Sequence, residues 1–370
     1  MKKILILMGR YLPGHRDGGP LRTMINVTDT LGDEYDFYIA CLDRDHGDTE
    51  PYPDVKRNAW NHVGKAKVWY VSPGDFTDEL ILSLAEDKDS IYLSSFYDDY
   101  GYKTLILRKK GKITCSVTLA SMGVFSKEAL AQKSLKKKLF ITACKVGGLF
   151  KDITWSVTSE LEADDIKKAI GSDIRYVVAE DLPRALEPKG KIRNYQPLRI
   201  VFLSRICEHK NLKIAINAVK AMTDKNRTLD IYGPIQEPEY WEECKKALEG
   251  VDFEWHYGGD VEAEDVLNIF SEHDVMLLPT KSENYGHVIF EALSTGCVPI
   301  ISNRTPWASV KNSGAGYVVP VSEDSFTEAL DTFTELSLED KAEMSEKSVA
   351  LAKEKIRQSK EHTGYRMIFG

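Results

Sequence analysis

Two glutamates set eight positions apart, Glu283 and Glu291, frame the segment of this chain best suited to chemistry. Glu291 lies among Val288, Ile289, Phe290, Ala292 and Leu293, in what reads as a short buried helix. Burying an unpaired carboxylate is costly, because desolvation penalises its charged form. Glu283 precedes Asn284, Tyr285, Gly286 and His287, a loop-like stretch at the end of the apolar run "DVMLLP". A helix starting near Gly286 would point its free N–H groups at an anionic or hydroxyl-rich ligand, and Gly286 would admit that ligand close to the backbone. Glu291, one turn in, could then accept hydrogen bonds from a diol. A solvent-facing glutamate and an ordinary loop acid explain the spacing equally well.

A second set follows "LRIVFLS". Arg205 ends that run and Lys210 stands just before a helix starting near Asn211. Two cations at a strand's carboxyl end, beside a helix N-terminus, suit a phosphate, although solvated loop cations fit the same pattern. Gly18 and Gly19 lie between the first apolar run and a helix carrying Leu21, Met24, Ile25 and Val27. Paired glycines there allow a diphosphate to approach, but neither GxGxxG nor GxxxxGK[ST] is present, so an ordinary turn is an equal reading.

These residues need a scaffold. A length of 370 residues implies two domains, and 42% hydrophobic with 29% charged residues describes a globular chain. Short apolar runs alternate with helical patterns, as in parallel sheets covered by helices. "KILILM", "DFYIAC", "KVWYV", "SIYLSSF", "ITCSVTLA", "WSVTS" and "RYVVA" are expected strands of a first domain. "LRIVFLS", "TLDIYG", "FEWHYG", "DVMLLP", "VPIIS" and "GYVVP" are those of a second. The polar, proline-bracketed Glu187 to Pro197 reads as the linker, and the tail from about Ser337 as helix. Two doubly wound domains would leave a cleft lined by the carboxyl ends of both sheets.

The net charge of −8 argues against bulk nucleic-acid binding. Six scattered cysteines without a CxxC pair favour reduced thiols in a cytoplasmic compartment over disulfides or zinc. The short N-terminal apolar run reads as a first strand rather than a signal peptide, and no stretch reaches the roughly 18 apolar residues of a membrane span. Between Lys103 and Lys151, twelve Lys/Arg stand against one acid, Glu128. Within that stretch, Leu130, Leu135, Leu139 and Phe140 lie among Lys133, Lys136, Lys137 and Lys138. An amphipathic basic helix of this kind suits an anionic membrane surface, whereas a solvated helix face with core leucines is the plainer reading.

Taken together, the motifs resemble the retaining glycosyltransferases of family 4, which have the GT-B fold. Glu283 and Glu291 match that family's E-x7-E motif. "ENYGHVIFEALSTGCVPIISNRTPW" is similar to an ENFGH-type subgroup of bacterial polysaccharide synthesis, through Thr305, Pro306 and Trp307. The resemblance implies an α/β fold of two Rossmann-like domains, residues 1–190 on the acceptor side and 191–349 on the donor side. The C-terminal helix, about 350–370, would pack back onto the first. It implies a retaining sugar transfer from a nucleotide-sugar, UDP-sugar foremost, to a glycan or lipid-linked glycan, as in lipopolysaccharide or O-antigen synthesis.

By the same resemblance Glu291 would hold ribose hydroxyls, and Glu283 would approach the donor sugar. Asn284, Tyr285, Gly286 and His287 would hold sugar hydroxyls and phosphate, with Gly18 and Gly19 at the N-terminal glycine loop. Arg205 and Lys210 would neutralise the departing diphosphate, so that no metal or other cofactor is expected. DxD-like triplets such as Asp43-Arg44-Asp45 read as solvated surface. The chain would work in the cytoplasm, with peripheral contact to the inner face of the membrane.

Two departures stand out. "YLSSFYDDYGY" lacks the family's first-domain histidine, leaving Ser94, Ser95, Phe96 or Asp98 for its place, and "VVAEDLP" replaces a Pro-Asn-Gly turn. An epimerase or phosphorylase on the same fold and a non-catalytic binding homologue are the alternatives. The intact Arg205, Lys210, Glu283 and Glu291 speak against the last.

Overall fold

The structure is a computed structural model describing residues 1–125, 134–191 and 193–370, with the backbone alone at 134–135. It divides into two units, Met1–Ala185 with Ser359–Gly370, and Leu186–Gln358.

The first unit is built on β1 (Lys2–Leu7), β2 (Tyr35–Leu42), β3 (Trp60–Val63), β4 (Ala66–Val71), β5 (Ser90–Leu93), β6 (Ser116–Ala120), β7 (Thr154–Val157) and β8 (Arg175–Val178). Its sheet order is β3-β4-β2-β1-β5-β6-β7-β8, parallel except for β3. Strands such as Ile4–Leu7 are apolar on both faces because helices cover both sides of a parallel sheet. Among these helices are α1 (Gly19–Leu31), α2 (Asp78–Ala85), α3 (Asp99–Lys109), α4 (Ser134–Val146) and α5 (Glu160–Ile170). In α1, Leu21, Met24, Val27 and Leu31 form the buried stripe that a 3.6-residue period requires. Thr77 and Ser159 cap α2 and α5 through their hydroxyls.

The short, half-polar "WNHV" gives no clear period, so β3 escapes a reading of the sequence. A two-residue Gly64-Lys65 turn folds it against β4, where Trp60 meets Trp69 edge-on at 5.3 Å.

The second unit contains β9 (Leu198–Leu203), β10 (Arg227–Tyr232), β11 (Glu254–Gly259), β12 (Val275–Leu278), β13 (Val298–Ser302) and β14 (Tyr317–Val319). They form a parallel sheet of order β11-β10-β9-β12-β13-β14. Helices α6 (Leu212–Ala221), α7 (Pro238–Ala247), α8 (Val266–Glu272), α9 (His287–Ser294), α10 (Ala308–Asn312), α11 (Glu323–Glu335) and α12 (Leu338–Glu361) complete it, a last turn of α12 passing into the Ser359–Gly370 segment. Within the first unit that segment forms α13 (Gly364–Phe369). Phe369 packs edge-on against Phe37 and Tyr35, and Arg366 grips Glu34 with two hydrogen bonds of 2.8 and 2.6 Å.

Two expectations need correction. Glu187 to Pro197 is not a free linker. Arg193, 9% exposed, donates to the carbonyls of Ser271 and Thr295, and Tyr195 is buried. A guanidinium satisfying the free carbonyls at the end of α8 binds the segment to the second unit. Nor is Asp43-Arg44-Asp45 solvated surface, for both aspartates are buried. Asp43 accepts from Ser72 Oγ at 2.8 Å and Arg44 Nε at 2.9 Å. Asp45 accepts from the backbone N–H groups of His15, Arg16 and His46. Burial by itself would push the Asp45 carboxyl up, but these three donors outweigh it and hold it below the usual range. Sequence reasoning missed this because the donors come from a loop thirty residues upstream.

Candidate active site

In the second unit the chain leaves β9 toward one sheet edge and β12 toward the other. Ligands of open parallel sheets bind outside the carboxyl ends of strands at such a reversal. The loops that follow β9 and β12 carry Arg205 with Lys210 and Glu283 with Asn284 to His287, respectively.

Lys210 closes a 3₁₀ turn, Glu208–Lys210, and is 7% exposed. Its ammonium donates to Glu283 Oε2, joining residues 73 positions apart. The pair is not a chance surface contact, because neighbouring bonds fix both loops. His209 Nε2 lies 3.0 Å from the Ser282 carbonyl, and Lys281 N–H donates to the His209 carbonyl at 2.9 Å. Asn211 Nδ2 donates to the Pro279 carbonyl at 2.9 Å. Asn211 itself takes a left-handed conformation, φ 57°, which its short polar side chain tolerates, and α6 starts immediately after it.

Gly286, φ 82°, opens α9 without a side-chain cap. A Cβ there would stand 2.9 Å from Ile289 Cδ1 and 3.0 Å from Glu283 Cγ, so this position needs glycine to keep Glu283 in place. Trp307, 2% exposed, donates its indole N–H to the Tyr285 carbonyl and meets the Tyr285 ring at 5.4 Å. His287 also packs against that ring, at 4.9 Å. The Thr305-Pro306-Trp307 segment thereby anchors the loop.

Glu291 is 7% exposed, which removes the solvent-facing alternative. Arg205 differs from Lys210: it is exposed and donates to Gln236 Oε1 at 3.0 Å. The structure thus joins Lys210 to Glu283 and sets Glu291 one turn into the adjoining helix. Arg205 makes no hydrogen bond to either acid.

Gly18 and Gly19 belong to the first unit, at the carboxyl end of β1, where the direction of that sheet also reverses. Gly18 has φ 64°, and a Cβ on either glycine would meet nothing within 4 Å, so the start of α1 lies open. Of the four residues after β5 weighed for a missing histidine, Phe96 is excluded. It is 1% exposed and stacks on Tyr97 at 4.2 Å and on Phe125 at 5.6 Å. Ser94 is buried against the Tyr100 hydroxyl at 3.1 Å, while Asp98 is exposed.

One acid escaped sequence reasoning. Asp181, beyond the end of β8, is pushed up to about 7 by burial, against a hydrogen bond to Thr23, with Glu162 and Glu180 adding to the rise. The signal was the acidic Glu180-Asp181 pair in "VVAEDLP". A folded-state value above the ordinary 3.8 means the folded protein binds this proton more tightly than the unfolded chain. The contribution to stability is fully present below about pH 4 and is lost as pH rises toward about 7. Asp181→Asn should therefore raise the melting temperature at pH 8 and leave it nearly unchanged at pH 4. Equal effects at both pH values, measured by thermal denaturation, would contradict this.

Known proteins resemble the chain at two levels. Residues 184–350 match the glycosyl transferases group 1 family. A Klebsiella pneumoniae "uncharacterized 41.2 kDa protein in cps region" is 25% identical over 181 residues, 46% of this chain and 48% of that protein. The match thus spans about half the length of that relative. Among solved structures, Anabaena HepE in complex with UDP and glucose superposes with a TM-score of 0.72 at 15% identity, covering 96% of each chain. Sucrose-phosphate synthase from Thermosynechococcus elongatus gives 0.73 at 13% identity, over 100% and 99%. WaaG, a glycosyltransferase involved in lipopolysaccharide biosynthesis, gives 0.65 at 15%, over 97% of each. At these identities the likeness concerns the fold. Residues 184–350 are thus similar to the group 1 glycosyltransferases, and the two sheet-based units are those of the GT-B fold.

Proposed function

We propose that the protein is a retaining, metal-independent glycosyltransferase that moves a sugar from a UDP-sugar to a glycan or lipid-linked glycan in bacterial surface polysaccharide synthesis. The observation that carries this reading is the Lys210–Glu283 pair, held at the reversal of the second sheet beside buried Glu291. HepE bound to UDP and glucose, WaaG in lipopolysaccharide biosynthesis and the cps-region relative support the choice of donor and pathway.

In this reading Glu291 accepts hydrogen bonds from the ribose hydroxyls and Glu283 faces the sugar. Asn284 to His287 hold sugar hydroxyls and phosphate, and Gly18 with Gly19 admit substrate at the first unit. The acceptor hydroxyl attacks the anomeric carbon from the face the diphosphate leaves. The new C–O bond forms as the bond to phosphate oxygen breaks, and the acceptor's proton passes to that oxygen. Lys210 and Arg205 neutralise the charge growing on the diphosphate, so the reading requires no metal. Preorganised charge of this kind is among the largest contributions an active site makes.

The protein would work in the cytoplasm, peripheral on the inner face of the membrane. Lys136, Lys137 and Lys138 lie on α4 beside Leu139, which is 62% exposed. Lys133 and Leu130 lie outside the described residues, and Phe140 turns inward onto Tyr97 at 5.5 Å. No described helix is long and apolar enough to cross a membrane. Proton NMR of the first-formed product from an α-linked UDP-sugar tests the chemistry. An α-linked product is expected, whereas a β-linked product would overturn retention.

A further inference from the structure

The C-terminal ends of α3 and α4 flank a cavity of about 490 Å³, lined in part by Arg108, Lys109, Lys145, Val146, Gly148 and Lys151. Lysines at helix ends usually answer the unsatisfied carbonyls and the negative end of the helix dipole. Here backbone N–H groups take two of the carbonyls at each end. In α3, Gly111 N–H donates to the Arg108 carbonyl and Lys112 N–H to that of Leu107, at 2.8 and 3.0 Å. In α4, Gly148 N–H donates to the Lys145 carbonyl and Leu149 N–H to that of Cys144, both at 2.9 Å. Each helix closes with the paired backbone bonds of a Schellman motif, so these carbonyls are satisfied without the lysines.

The ammonium groups of Lys109, Lys145 and Lys151 make no hydrogen bond or ion pair with described residues. Asp152, on the same wall, is not within ion-pair distance of them. Arg108 spends its terminal nitrogens on the carbonyls of Cys115 and Asp152, holding the wall in place. Like charges gathered round one cavity repel, and an anion entering it would relieve that repulsion.

Beside this cavity α4 shows an apolar ridge to solvent. Val146 is 83% exposed and Leu139 62%, seven positions apart and so on one face, with exposed Thr142 and Ala143 between them. Lys136, Lys138 and Lys145 are exposed on the same helix. A soluble anion would use the cations and leave this ridge bare; a bilayer uses both.

We infer that the cavity binds the phosphate of an anionic phospholipid headgroup while Leu139 and Val146 enter the interface. This rests on the proposed peripheral docking of α4 and names its lipid-binding site. The test is co-sedimentation with phosphatidylcholine vesicles, with and without about one third phosphatidylglycerol, at low and high salt. Wild-type protein should bind only the anionic vesicles, and less as salt rises. The triple substitution K109Q/K145Q/K151Q should weaken that binding about 100-fold, at roughly tenfold or less per cation. L139S/V146S should weaken it while the lysines remain.

Unchanged binding of the triple variant, with loss in K136E/K137E/K138E, would reject the cavity and leave peripheral docking standing. No binding of wild-type protein at low salt would reject both. Inorganic phosphate shifting the Gly147 and Gly148 amide resonances without any vesicle binding would mean a soluble anion and overturn the lipid assignment. A wild-type amide spectrum and melting temperature in each variant check that the first unit is folded.

Discussion

Lys210→Ala is expected to lower the rate of sugar transfer by about 10²-fold or more, the scale for losing one preorganised electrostatic donor. Lys210 is 7% exposed and its ammonium is held toward Glu283, so it needs little reorganisation when a diphosphate arrives. Two effects would combine in this variant and can be separated. Removing the cation leaves the Glu283 carboxylate without its partner, at a stability cost of about 1–3 kcal/mol. That loss appears in the melting temperature, whereas the loss of leaving-group stabilisation appears in kcat at temperatures where the variant is folded. Lys210→Arg keeps the charge and should recover part of the rate. Arg205→Ala is expected to slow transfer with little effect on stability, because Arg205 is exposed and, among the described residues, bonded only to Gln236. Near-wild-type turnover of Lys210→Ala with a verified donor would remove this lysine from the chemistry.

Glu291→Ala should act on donor affinity rather than on the transfer step. Glu291 is 7% exposed, on a helix whose start is fixed by Gly286 and by the Trp307 bond to Tyr285. A charged acceptor bonded to a ribose hydroxyl contributes about 1.5–3 kcal/mol, so UDP affinity should fall tenfold or more. Glu283→Ala should do the reverse, slowing transfer more than it weakens UDP. Equal losses of affinity in the two variants, measured by calorimetry, would contradict this division of roles.

How much of this was legible depended on how local each cause is. The parallel strands were readable because residues such as Ile4 to Leu7 and Val275 to Leu278 are apolar on both faces and bounded by turns. Glu291 could be singled out because the apolar residues around it in the chain mark a buried helix. The Lys210–Glu283 contact could not be read, since it depends on β9 and β12 lying side by side. Asp43 and Asp45 misled for the same reason: a charged tripeptide suggests solvent, but their donors come from Ser72 and from the His15 loop. Arg193 likewise turned an expected linker into packed structure through carbonyls of Ser271 and Thr295.

The site itself is tested most directly by calorimetric titration of UDP into the wild-type protein, Lys210→Ala and Glu291→Ala, with uridine as a second ligand. The wild-type protein should bind UDP. Lys210→Ala should weaken UDP but not uridine, because only the diphosphate meets the ammonium. Glu291→Ala should weaken both, because both carry the ribose. Absence of UDP binding to the folded wild-type protein, or equal UDP affinity in all three, would contradict the assignment of this site to a nucleotide-sugar.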